Sequence, residues 1–375
     1  MVKILQVYRT YFPDTQGGTE EVIRQLAKGI IRKGGECKIL VPSKHTKNVE
    51  VTIVDGIEVI RLPEVIEIAS CNMFVKGFSE FRDLVLWADV VHYHYPWPLQ
   101  DVMHASLPSK LRAERKFIVT YHSDIIKQKF LLKLYTPLMR WFFGQMDLIV
   151  ASSINYAQTS SILRSYMKKV EVIPFGLDEE ALPALCQSNR SKWEGKVGKD
   201  FFFFIGVLRY YKGLHVLLEA ARQQNFKVVI AGAGNQRKLL EKMINKYDLS
   251  NVILVGRVSD EDKVSLFHLS KAVVLPSFIR SEAFGIVLLE GLYMGKPLVT
   301  ADIGSGMSFV NENGKTGLWV EPGSVKSLRA ALNQLNEDPV LCENFSSNAR
   351  KRFDSEFTNE LMSSRYMDLY GSLLS

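Results

Sequence analysis

The sequence predicts an α/β protein with two doubly wound domains, and two observations carry this prediction. Short runs that are apolar on both faces alternate with amphipathic helical stretches along nearly the whole chain, as is typical of parallel sheets covered by helices. The 375 residues are also about the length of two domains. The alternation is interrupted once, at residues 185–199 (LCQSNRSKWEGKVGK), which are polar and lack an apolar period.

This interruption sets the predicted domain boundaries. We expect a first domain over residues 1–180, a linker over 181–199, a second domain over 200–356 and a terminal helix over 357–375. The terminal helix carries Leu361, Tyr366 and Tyr370 at helical spacing and therefore needs a surface on which to dock.

The strands of the two predicted sheets are the short apolar runs. In the first domain they are Ile4–Tyr8, Lys38–Val41, Val90–Tyr95, Phe117–Tyr121, Leu148–Ala151 and Val170–Ile173. In the second domain they are Phe201–Leu208, Val228–Ala231, Val252–Val255, Ala272–Leu275 and Pro297–Thr300. Helical patterns lie between them, for example at Glu20–Arg32, Lys212–Gln224, Arg237–Tyr247 and Glu261–Ser270. Because ligands of such sheets bind beyond the carboxyl ends of the strands, the candidate site residues are those that follow a strand.

The composition bounds the class of protein and its partners. With 47% hydrophobic and 23% charged residues, the chain can bury a large core and is not a disordered scaffold. A net charge of +7 favours anionic partners: nucleic acid, phosphorylated ligands or an acidic membrane surface. The four cysteines are widely spaced, which argues against a zinc or disulfide framework. The sequence lacks an apolar run of ~20 residues, and its start is too polar for a signal peptide, so we expect a cytoplasmic protein.

Two candidate sites follow strands of the first domain. Gly17 and Gly18 precede a predicted helix, where backbone amides can approach an anion. The alternative is a flexible turn with Thr19 as the helix N-cap. His122 ends another strand and is expected to point into a cleft between the two domains, where it is a candidate catalytic residue.

Arg209 and Lys212 follow the first strand of the second domain, in the segment GVLRYYKG. Two cations at this place, just before a helix, can clamp a diphosphate. The alternative is a pair of solvated surface charges.

The strongest local signal is the segment 281–297 (SEAFGIVLLEGLYMGKP), in which Glu282 and Glu290 are eight positions apart. On one helix they would be separated by ~12 Å of rise, whereas the two carboxyls of a glycosidase lie roughly 5–9.5 Å apart. The pair suits a long ligand contacted at two points, with a phosphate between them on the amides of Phe284, Gly285 and Ile286. The alternative for Glu282 is an acid in the first turn of a helix, which the helix dipole favours.

Two further patterns that resemble metal sites have structural interpretations. His92 and His94 lie on one face of a strand, but no third ligand is evident nearby, so we interpret them as core or acceptor-lining histidines. Asp260-Glu-Asp262 matches a D-x-D pattern but begins a helical stretch, where we predict Asp260 as the N-cap. No metal site is predicted.

The segment 125–144 (IIKQKFLLKLYTPLMRWFFG) is basic and aromatic and has no acidic residue. Its cations are Lys127, Lys129, Lys133 and Arg140. An amphipathic segment of this kind can lie on an anionic membrane leaflet. The alternative is a core helix with a solvated basic face.

These pieces occur in the order found in retaining glycosyltransferases of family 4, the group 1 glycosyltransferases, and the chain resembles that family over essentially its whole length. The matching pieces are, in order, the Gly17–Glu20 loop, His122, Ile173–Asp178, the Gly206–Gly213 turn, Ala231–Gly234, Val255–Val258, Leu275–Ser277, the Glu282/Glu290 pair, and Thr316-Gly-Leu with Pro322-Gly. Within this series the E-x7-E pair is the specific motif.

The resemblance implies the GT-B fold, in which two Rossmann-like domains face each other across a cleft and the C-terminal helix crosses back to the first domain. It also implies roles for the candidate residues. Arg209 and Lys212 would bind the diphosphate of a nucleotide sugar, Glu282 would contact the transferred sugar, and Glu290 would hold the ribose hydroxyls. In the family an arginine usually follows the glycine of this turn directly, whereas here Val207 does and Arg209 comes two residues later.

The remaining roles implied by the resemblance concern the phosphates, the sugar and the base. The Gly17-Gly18 loop and the amides of Phe284, Gly285 and Ile286 would meet the phosphates and the sugar. His122 would sit beside the transferred sugar, and the base would pack near Val258.

The GVLRYYKG segment is similar to that of bacterial polysaccharide and lipopolysaccharide O-antigen mannosyltransferases. The resemblance therefore implies GDP-mannose as donor, no metal or other cofactor, and a saccharide or polyprenyl-diphosphate-linked saccharide acceptor at the inner leaflet. The alternatives are a UDP-sugar-dependent transferase of the family, a GT-B epimerase or phosphorylase, and a nucleotide-sugar-binding regulator. Nucleic acid is not expected as a partner, because the sequence has no recognised nucleic-acid motif.

Overall fold

A computed structural model of the protein describes residues 1–15, 17–68, 71–74, 77–125 and 129–375. Contacts group these residues into two compact units. Unit 1 consists of Met1–Gly176 with Asn359–Ser375, and unit 2 consists of Leu177–Thr358. Each unit contains a sheet of mainly parallel strands connected by helices, so the predicted α/β fold is confirmed.

Unit 1 is built on an eight-stranded sheet with the strand order β10-β9-β8-β7-β1-β2-β4-β3. The strands of the unit are β1 (Lys3–Val7), β2 (Glu36–Ser43), β3 (Glu50–Val54), β4 (Ile57–Pro63), β5 (Ile66–Ile68), β6 (Cys71–Met73), β7 (Val90–Tyr95), β8 (Lys116–Tyr121), β9 (Leu148–Ala151) and β10 (Val170–Val172). Neighbours in the large sheet are parallel except for the β3–β4 hairpin, and β5 and β6 form a separate antiparallel pair.

The helices of unit 1 connect these strands. In chain order they are α1 (Gly18–Arg32), α2 (Phe78–Trp87), α3 (Pro98–Ser106), α4 (Ser109–Glu114), α5 (Lys129–Gln145), α6 (Ile154–Thr159) and α7 (Ser161–Arg164). The central strands β1, β7 and β8 are buried along their whole length or nearly so, as expected for a sheet covered on both faces.

Unit 2 is built on a six-stranded parallel sheet with the strand order β13-β12-β11-β14-β15-β16. Its strands are β11 (Phe201–Ile205), β12 (Val228–Ala231), β13 (Val252–Gly256), β14 (Ser270–Leu275), β15 (Leu298–Ala301) and β16 (Gly317–Val320). Its helices are α8 (Gln187–Val197), α9 (Leu214–Ala220), α10 (Arg237–Tyr247), α11 (Asp260–Leu269), α12 (Ile286–Tyr293), α13 (Met307–Val310), α14 (Val325–Glu337) and α15 (Pro339–Glu356).

The segment predicted as a linker over 181–199 is for the most part helix α8, and it belongs to unit 2. Trp193 and Val197, four positions apart, are buried, and the Trp193 indole donates a 2.7 Å hydrogen bond to Asp262 of α11. One large and one small apolar side chain anchor this helix, which is too few to produce an apolar period in the sequence. The boundary between the units lies instead after Gly176.

The loops that follow β11 and β12 pack backbone against backbone. Gly232 has a φ of 127°, and a Cβ there would lie 1.9 Å from the carbonyl oxygen of Gly206. Gly213 has a φ of 70°, and a Cβ there would lie 2.2 Å from the carbonyl oxygen of Pro276. Only glycine fits at these two positions, and both fix the segment that carries Arg209 and Lys212.

The C-terminal helix, α16 (Asn359–Leu374), belongs to unit 1 and packs against α1. The two helices are in close contact, because a Cβ at Gly29 would lie 2.4 Å from the Cβ of Ser363. Lys33 of α1 and Glu360 of α16 form an ion pair at 2.5 Å. Tyr366 and Tyr370 of α16 are fully buried in the unit.

Helix α5 lies in the basic segment 125–144 and has two distinct faces. Met139, Phe142 and Phe143 are buried in unit 1, whereas Lys133, Leu134 and Arg140 are exposed on the other side. Lys127 lies outside the described residues, as does the side chain of Lys129. In the part of the chain that the structure describes, every helix is too short or too polar to cross a membrane.

Candidate active site

Lys212 and Glu282 meet in unit 2, at the carboxyl ends of β11 and β14. Lys212 ends a single 3-10 turn, Tyr210–Lys212, and Glu282 lies in the loop between β14 and α12. The Lys212 ammonium donates a hydrogen bond to Glu282 Oε2, and Ser277 Oγ donates to the same oxygen at 3.0 Å. Both side chains are only 10–12% exposed. A carboxylate held by two donors in a partly desolvated place is fixed in direction.

Glu290 lies on α12 and is held by a second lysine. Lys263 Nζ of α11 lies 2.7 Å from Glu290 Oε1 and 2.9 Å from Asp260 Oδ1. Burial lowers the pKa of Lys263, but the charge and hydrogen bonds of Glu290 and Asp260 raise it more, so its pKa lies above the ordinary value. The charge of Glu290 is thereby balanced, which removes the cost of burying it alone.

The start of α12 presents backbone amides beside these carboxylates. The helix begins at Ile286, after Gly285 in the left-handed region (φ 81°), so Glu282 is not on the helix and the ~12 Å rise expected for the two glutamates does not apply. The side chain of Phe284 is buried, and the first turn has no acidic residue. The first amides of the helix, with Ile286 among them, have no carbonyl partner four residues earlier within the helix and can therefore accept an anion as a ligand.

Arg209 and Val258 lie in the loops that follow β11 and β13. Arg209 is exposed and directly precedes the 3-10 turn that ends at Lys212. Val258 is half-buried and lies two residues beyond the end of β13. Unit 2 therefore has all of its predicted donor-binding residues on loops at the carboxyl edge of its sheet, or on the helices that start there.

Asp260 and Asp262, the D-x-D pattern, belong to the N-terminus of α11. The N-cap is Ser259, not Asp260 as predicted, and it forms a capping box with Asp262. Asp262 also accepts the hydrogen bond from Trp193. Among the residues that the structure describes, no group of three or more His, Cys, Asp or Glu side chains is arranged to hold a metal ion.

Gly17 and Gly18 begin α1 in unit 1. Gly17, not Thr19, is the N-cap, and Gly18 is the first residue of the helix. No side chain of the described residues caps this terminus. Glu20, in the first turn, accepts hydrogen bonds from Thr10 and Thr15 at 2.8 and 2.9 Å, and these bonds fix the preceding loop. The start of α1 is therefore an ordered helix N-terminus with glycine at its first two positions.

His122 follows β8 and is almost fully buried in unit 1. Its ring stacks on Phe175 at a centroid distance of 5.3 Å, and its Nε2 lies 2.8 Å from His94 Nδ1. Burial lowers the pKa of His122 to about 3, so the ring is neutral near pH 7. His92 and His94 are both fully buried, as the core interpretation predicts, and their ring nitrogens bond to protein groups.

Sequence reasoning missed three polar partners of the candidate residues: Ser277, Lys263 and Gln6. Ser277 holds Glu282, Lys263 holds Glu290, and Gln6 Oε1 lies 2.6 Å from His94 Nε2. The only signal in the sequence was the polar Gln6 inside an otherwise apolar strand. Ser277 lies in the Leu275–Ser277 piece of the family resemblance, but nothing in the sequence indicated that it holds Glu282. Lys263 had no signal, because lysines on helices are ordinary surface residues.

Comparison with known proteins decides the family. Residues 16–181 match the family model described as Glycosyltransferase Family 4, and residues 187–352 match the one described as Glycosyl transferases group 1. O-antigen chain mannosyltransferase C of Escherichia coli is 40% identical over 373 residues, which are 100% of this chain and 99% of that protein. The chain belongs to the group 1 glycosyltransferases of family 4.

A second relative and two solved structures agree with this family and with its fold. D-rhamnosyltransferase WbpZ of Pseudomonas aeruginosa is 43% identical over 95% of this chain and 92% of its own length. Sucrose-phosphate synthase of Thermosynechococcus elongatus has a similar structure, with a TM-score of 0.78 at 18% identity over 100% of this chain and 99% of its own. HepE of Anabaena, solved with UDP, has a TM-score of 0.77 at 20% identity over 99% of this chain and all of its own. These likenesses show the GT-B fold.

Proposed function

We propose that this glycosyltransferase transfers mannose from GDP-mannose, with retention and without a metal, to a lipid-linked saccharide in the biosynthesis of a bacterial surface polysaccharide such as O-antigen or capsule. The observation that carries the proposal is the 40% identity, over the full length of both chains, to a mannosyltransferase of the O-antigen chain. The second relative, at 43% identity, is named for D-rhamnose, so the experiment must discriminate between sugars.

The charges of unit 2 support a nucleotide diphosphate as the donor's leaving group. In the proposed complex, Arg209, Lys212 and the amides at the start of α12 bind the diphosphate and stabilise the charge that develops on it. Glu282 binds the transferred sugar, and Glu290 binds the ribose hydroxyls. In the same proposed complex the start of α1 at Gly17 and Gly18 contacts the phosphates. His122 lies beside the sugar, and the base packs near Val258.

The proposed reaction is a substitution on one face of the sugar. The bond from C1 to the phosphate oxygen breaks, and the acceptor oxygen bonds to C1 on the same face. The proton of the acceptor hydroxyl passes to the departing diphosphate. The positive groups around the diphosphate, Lys212 foremost, supply the stabilisation that a metal ion supplies in other transferases.

The exposed basic face of α5 supports an acceptor at a membrane. Lys133 and Arg140, seven positions apart, lie on the same side of α5 and are exposed, and Leu134, the residue after Lys133, is 68% exposed, so that cations and a large apolar side chain are both presented to solvent. Residues 108–140 contain eight basic and two acidic residues. In this proposal the protein is cytoplasmic and associates peripherally with the inner leaflet, where a polyprenyl-diphosphate-linked saccharide is presented.

Thermal unfolding with a panel of nucleotide sugars tests the donor. We expect GDP-mannose and GDP to stabilise the purified protein, by about 2.7 kcal/mol at 100 times the dissociation constant, and UDP-glucose and UDP-N-acetylglucosamine to have little effect. Transfer from GDP-mannose to a lipid-linked saccharide is then measured with EDTA present, and the anomeric configuration of the product is read by NMR.

Each alternative has its own result in the same experiment. Stabilisation and transfer with a UDP-sugar only would replace the proposed donor. Release of an isomerised sugar without acceptor would indicate an epimerase, and a requirement for orthophosphate would indicate a phosphorylase. Loss of activity in EDTA that Mg²⁺ restores, or a product of inverted configuration, would contradict the proposed mechanism.

A further inference from the structure

A row of polar side chains crosses the middle of the unit 1 sheet. Gln6 of β1 pairs in register with His92 of β7, and His94 of β7 pairs with Thr120 of β8. All four are fully buried. Helix α16 adds two tyrosines to the row: Tyr370 hydroxyl bonds to His92 Nδ1 at 2.8 Å, and Tyr366 hydroxyl bonds to Thr120 Oγ1 at 2.8 Å.

One branch of this row ends at His122. Gln6 Oε1 lies 2.6 Å from His94 Nε2, and His94 Nδ1 lies 2.8 Å from His122 Nε2. The His122 backbone N–H also donates to the carbonyl of Tyr95 at 3.0 Å, and Phe175 stacks on the ring. His122 is therefore held in place from the backbone, from one ring face and from one ring nitrogen.

The hydrogen bonds have a fixed direction. The side-chain amide of Gln6 turns its oxygen toward His94. An amide oxygen can only accept, so with Gln6 in this orientation His94 carries a proton on Nε2. Burial and the neighbouring histidines lower the pKa of His94 well below its usual value, so His94 is neutral and its Nδ1 is a lone pair. That lone pair accepts from His122 Nε2–H. His122 is also neutral, so its own Nδ1 is an acceptor.

Gln6, His94 and His122 thus form a relay of three hydrogen-bonded side chains, and His122 Nδ1 is the end of the relay that has no partner within the described part of the unit. None of the described residues forms a hydrogen bond with His122 Nδ1. This atom is also absent from the fully buried polar atoms that lack a partner, so it is not completely enclosed by the protein. A ring nitrogen that only accepts binds hydroxyl groups and does not bind the oxygens of a phosphate or a carboxylate.

We propose that Gln6 and His94 are positioning residues that hold His122 in the Nε2–H tautomer, so that His122 presents the lone pair of Nδ1 to a hydroxyl group of the sugar substrate. The contact with sugar rests on the function proposed above, whereas the tautomer does not. His122 then orients a sugar hydroxyl by accepting its proton in a hydrogen bond, and it does not act as a proton donor.

The tautomer is tested directly by ¹⁵N NMR of the protein labelled at its seven histidines. Protonated and unprotonated ring nitrogens differ widely in shift, and the signals of His94 and His122 are assigned by their loss in His94→Asn and His122→Asn. At pH 7 we expect Nε2–H in both rings. A His122 ring protonated on Nδ1 would overturn the proposal, whatever donor sugar the enzyme uses.

The variant Gln6→Glu is expected to reverse the direction of the hydrogen bond between His94 and His122. A carboxylate at this position stabilises a second proton on His94, whose Nδ1–H then donates to His122 Nε2 and moves the His122 proton to Nδ1. The NMR spectrum should show this exchange of tautomers at His122. An unchanged His122 signal in folded Gln6→Glu protein would contradict the relay.

Kinetics then test whether the relay matters for transfer, with His92→Phe as the matched control. His92 is in the same strand, equally buried and stacked on His94 at 4.5 Å, but it has no bond to His122. We expect His94→Phe to lower kcat about 10- to 100-fold with the donor KM changed by less than about threefold. His92→Phe should leave kcat within about threefold.

The variant His94→Asn supplies the rescue, because its amide oxygen can take the place of Nδ1 as acceptor for His122 Nε2–H. It should recover most of the activity that His94→Phe loses. Equal losses in His94→Phe and His92→Phe, or no recovery in folded His94→Asn protein, would assign the row a structural role only. Inactivity of the wild-type protein with every sugar tested would instead contradict the proposed function and leave the tautomer intact.

Discussion

Lys212 and Glu282 form an ion pair across 70 positions of sequence, and Ser277 donates a second hydrogen bond to the same carboxylate oxygen. Gly213 directly follows Lys212, and its lack of a Cβ allows this turn to lie against the carbonyl of Pro276, beside Ser277. The two residues to which the family resemblance assigns the diphosphate and the sugar are thus paired with each other in the structure.

The first prediction concerns this pair. We expect Lys212→Met and Glu282→Gln each to lower kcat/KM for GDP-mannose at least about 100-fold, because each removes a charged group that contacts the donor in the proposed complex. The double variant should be little worse than either single one, since the two residues act together. Arg209→Met, at an exposed position, is the comparison and should cost less. Full activity in folded Lys212→Met or Glu282→Gln protein would contradict the assignment of the residue that was changed.

The second prediction concerns the partner of Glu290. Lys263 Nζ donates to Glu290 Oε1 at 2.7 Å. In the proposed function the other carboxylate oxygen of Glu290 binds the ribose hydroxyls. We expect Lys263→Met to weaken GDP binding about tenfold, measured by calorimetry, because a charge-assisted hydrogen bond that aims the carboxylate is lost. Asp260→Asn, which changes the other partner of Lys263, is the control and should change the affinity less than about twofold. Tighter binding in Lys263→Met would mean that the lysine competes with the ribose.

The third prediction concerns the exposed face of α5. We expect the protein to bind vesicles that contain phosphatidylglycerol and not vesicles of phosphatidylcholine alone, because each basic residue near an anionic surface contributes about 1 kcal/mol. Lys133→Glu with Arg140→Glu should weaken this binding at least about tenfold in a sedimentation assay. Lys110→Glu, at a highly exposed position on α4, is the matched control for the single variant Lys133→Glu and should weaken binding less than Lys133→Glu does. Equal binding to both kinds of vesicle would remove the membrane proposal.

The fourth prediction concerns the contact of α1 with α16. An alanine Cβ at Gly29 would lie 2.4 Å from Ser363 Cβ, so we expect Gly29→Ala to force the helices apart and to lower the free energy of unfolding by about 1–3 kcal/mol. Gly144→Ala is the control in the same unit, because a Cβ on α5 at that position meets nothing within 4 Å. It should be neutral or should stabilise by about 0.5–1 kcal/mol. Urea unfolding measures both, and equal effects would contradict the close contact.

The fifth prediction is a pH dependence of unit 1. Burial lowers the pKa of His104 and of His122 to about 3, and it lowers the pKa of His92 and His94 well below the usual value. These rings are neutral in the folded unit but take up protons when unfolded below pH 6.5. Their contribution to stability is therefore complete above pH 6.5 and is lost as the pH falls toward 3.

The expected slope is about 1.4 kcal/mol per pH unit for each histidine. Burial raises the pKa of Asp101 well above its usual value, and this acid offsets one histidine because its folded form keeps a proton that the unfolded form loses. Native-state hydrogen exchange at pH 5 and 7, read separately for peptides of each unit, measures the effect. His104→Leu should reduce the slope by the contribution of one histidine, about 1.4 kcal/mol per pH unit. A slope unaffected by this variant would contradict the lowered pKa of His104.

Some elements could be predicted because their signals are local. The central strands and the helices α10 and α11 follow from apolar runs and helical periodicity, and Glu282 and Glu290 stand out as acids in an apolar segment. The β3–β4 hairpin also had a local signal that was missed: Asp55-Gly56 between two alternating strands, both with positive φ. Helix α8 had no such signal, because it is anchored chiefly by Trp193 and Val197.

The sequence by itself determined the fold class, the family and the candidate residues, since periodicity and motif order are properties of neighbouring positions. Only the tertiary structure decided their partners: Ser277 and Lys212 for Glu282, Lys263 for Glu290, and His94 with Gln6 for His122. Ser277 and Glu282 are five positions apart in one loop, but each of the other pairs joins two different elements that are 27 or more positions apart. Hydrogen bonds and ion pairs act over about 3 Å, so they depend on how strands and helices pack, which no local pattern of residues specifies.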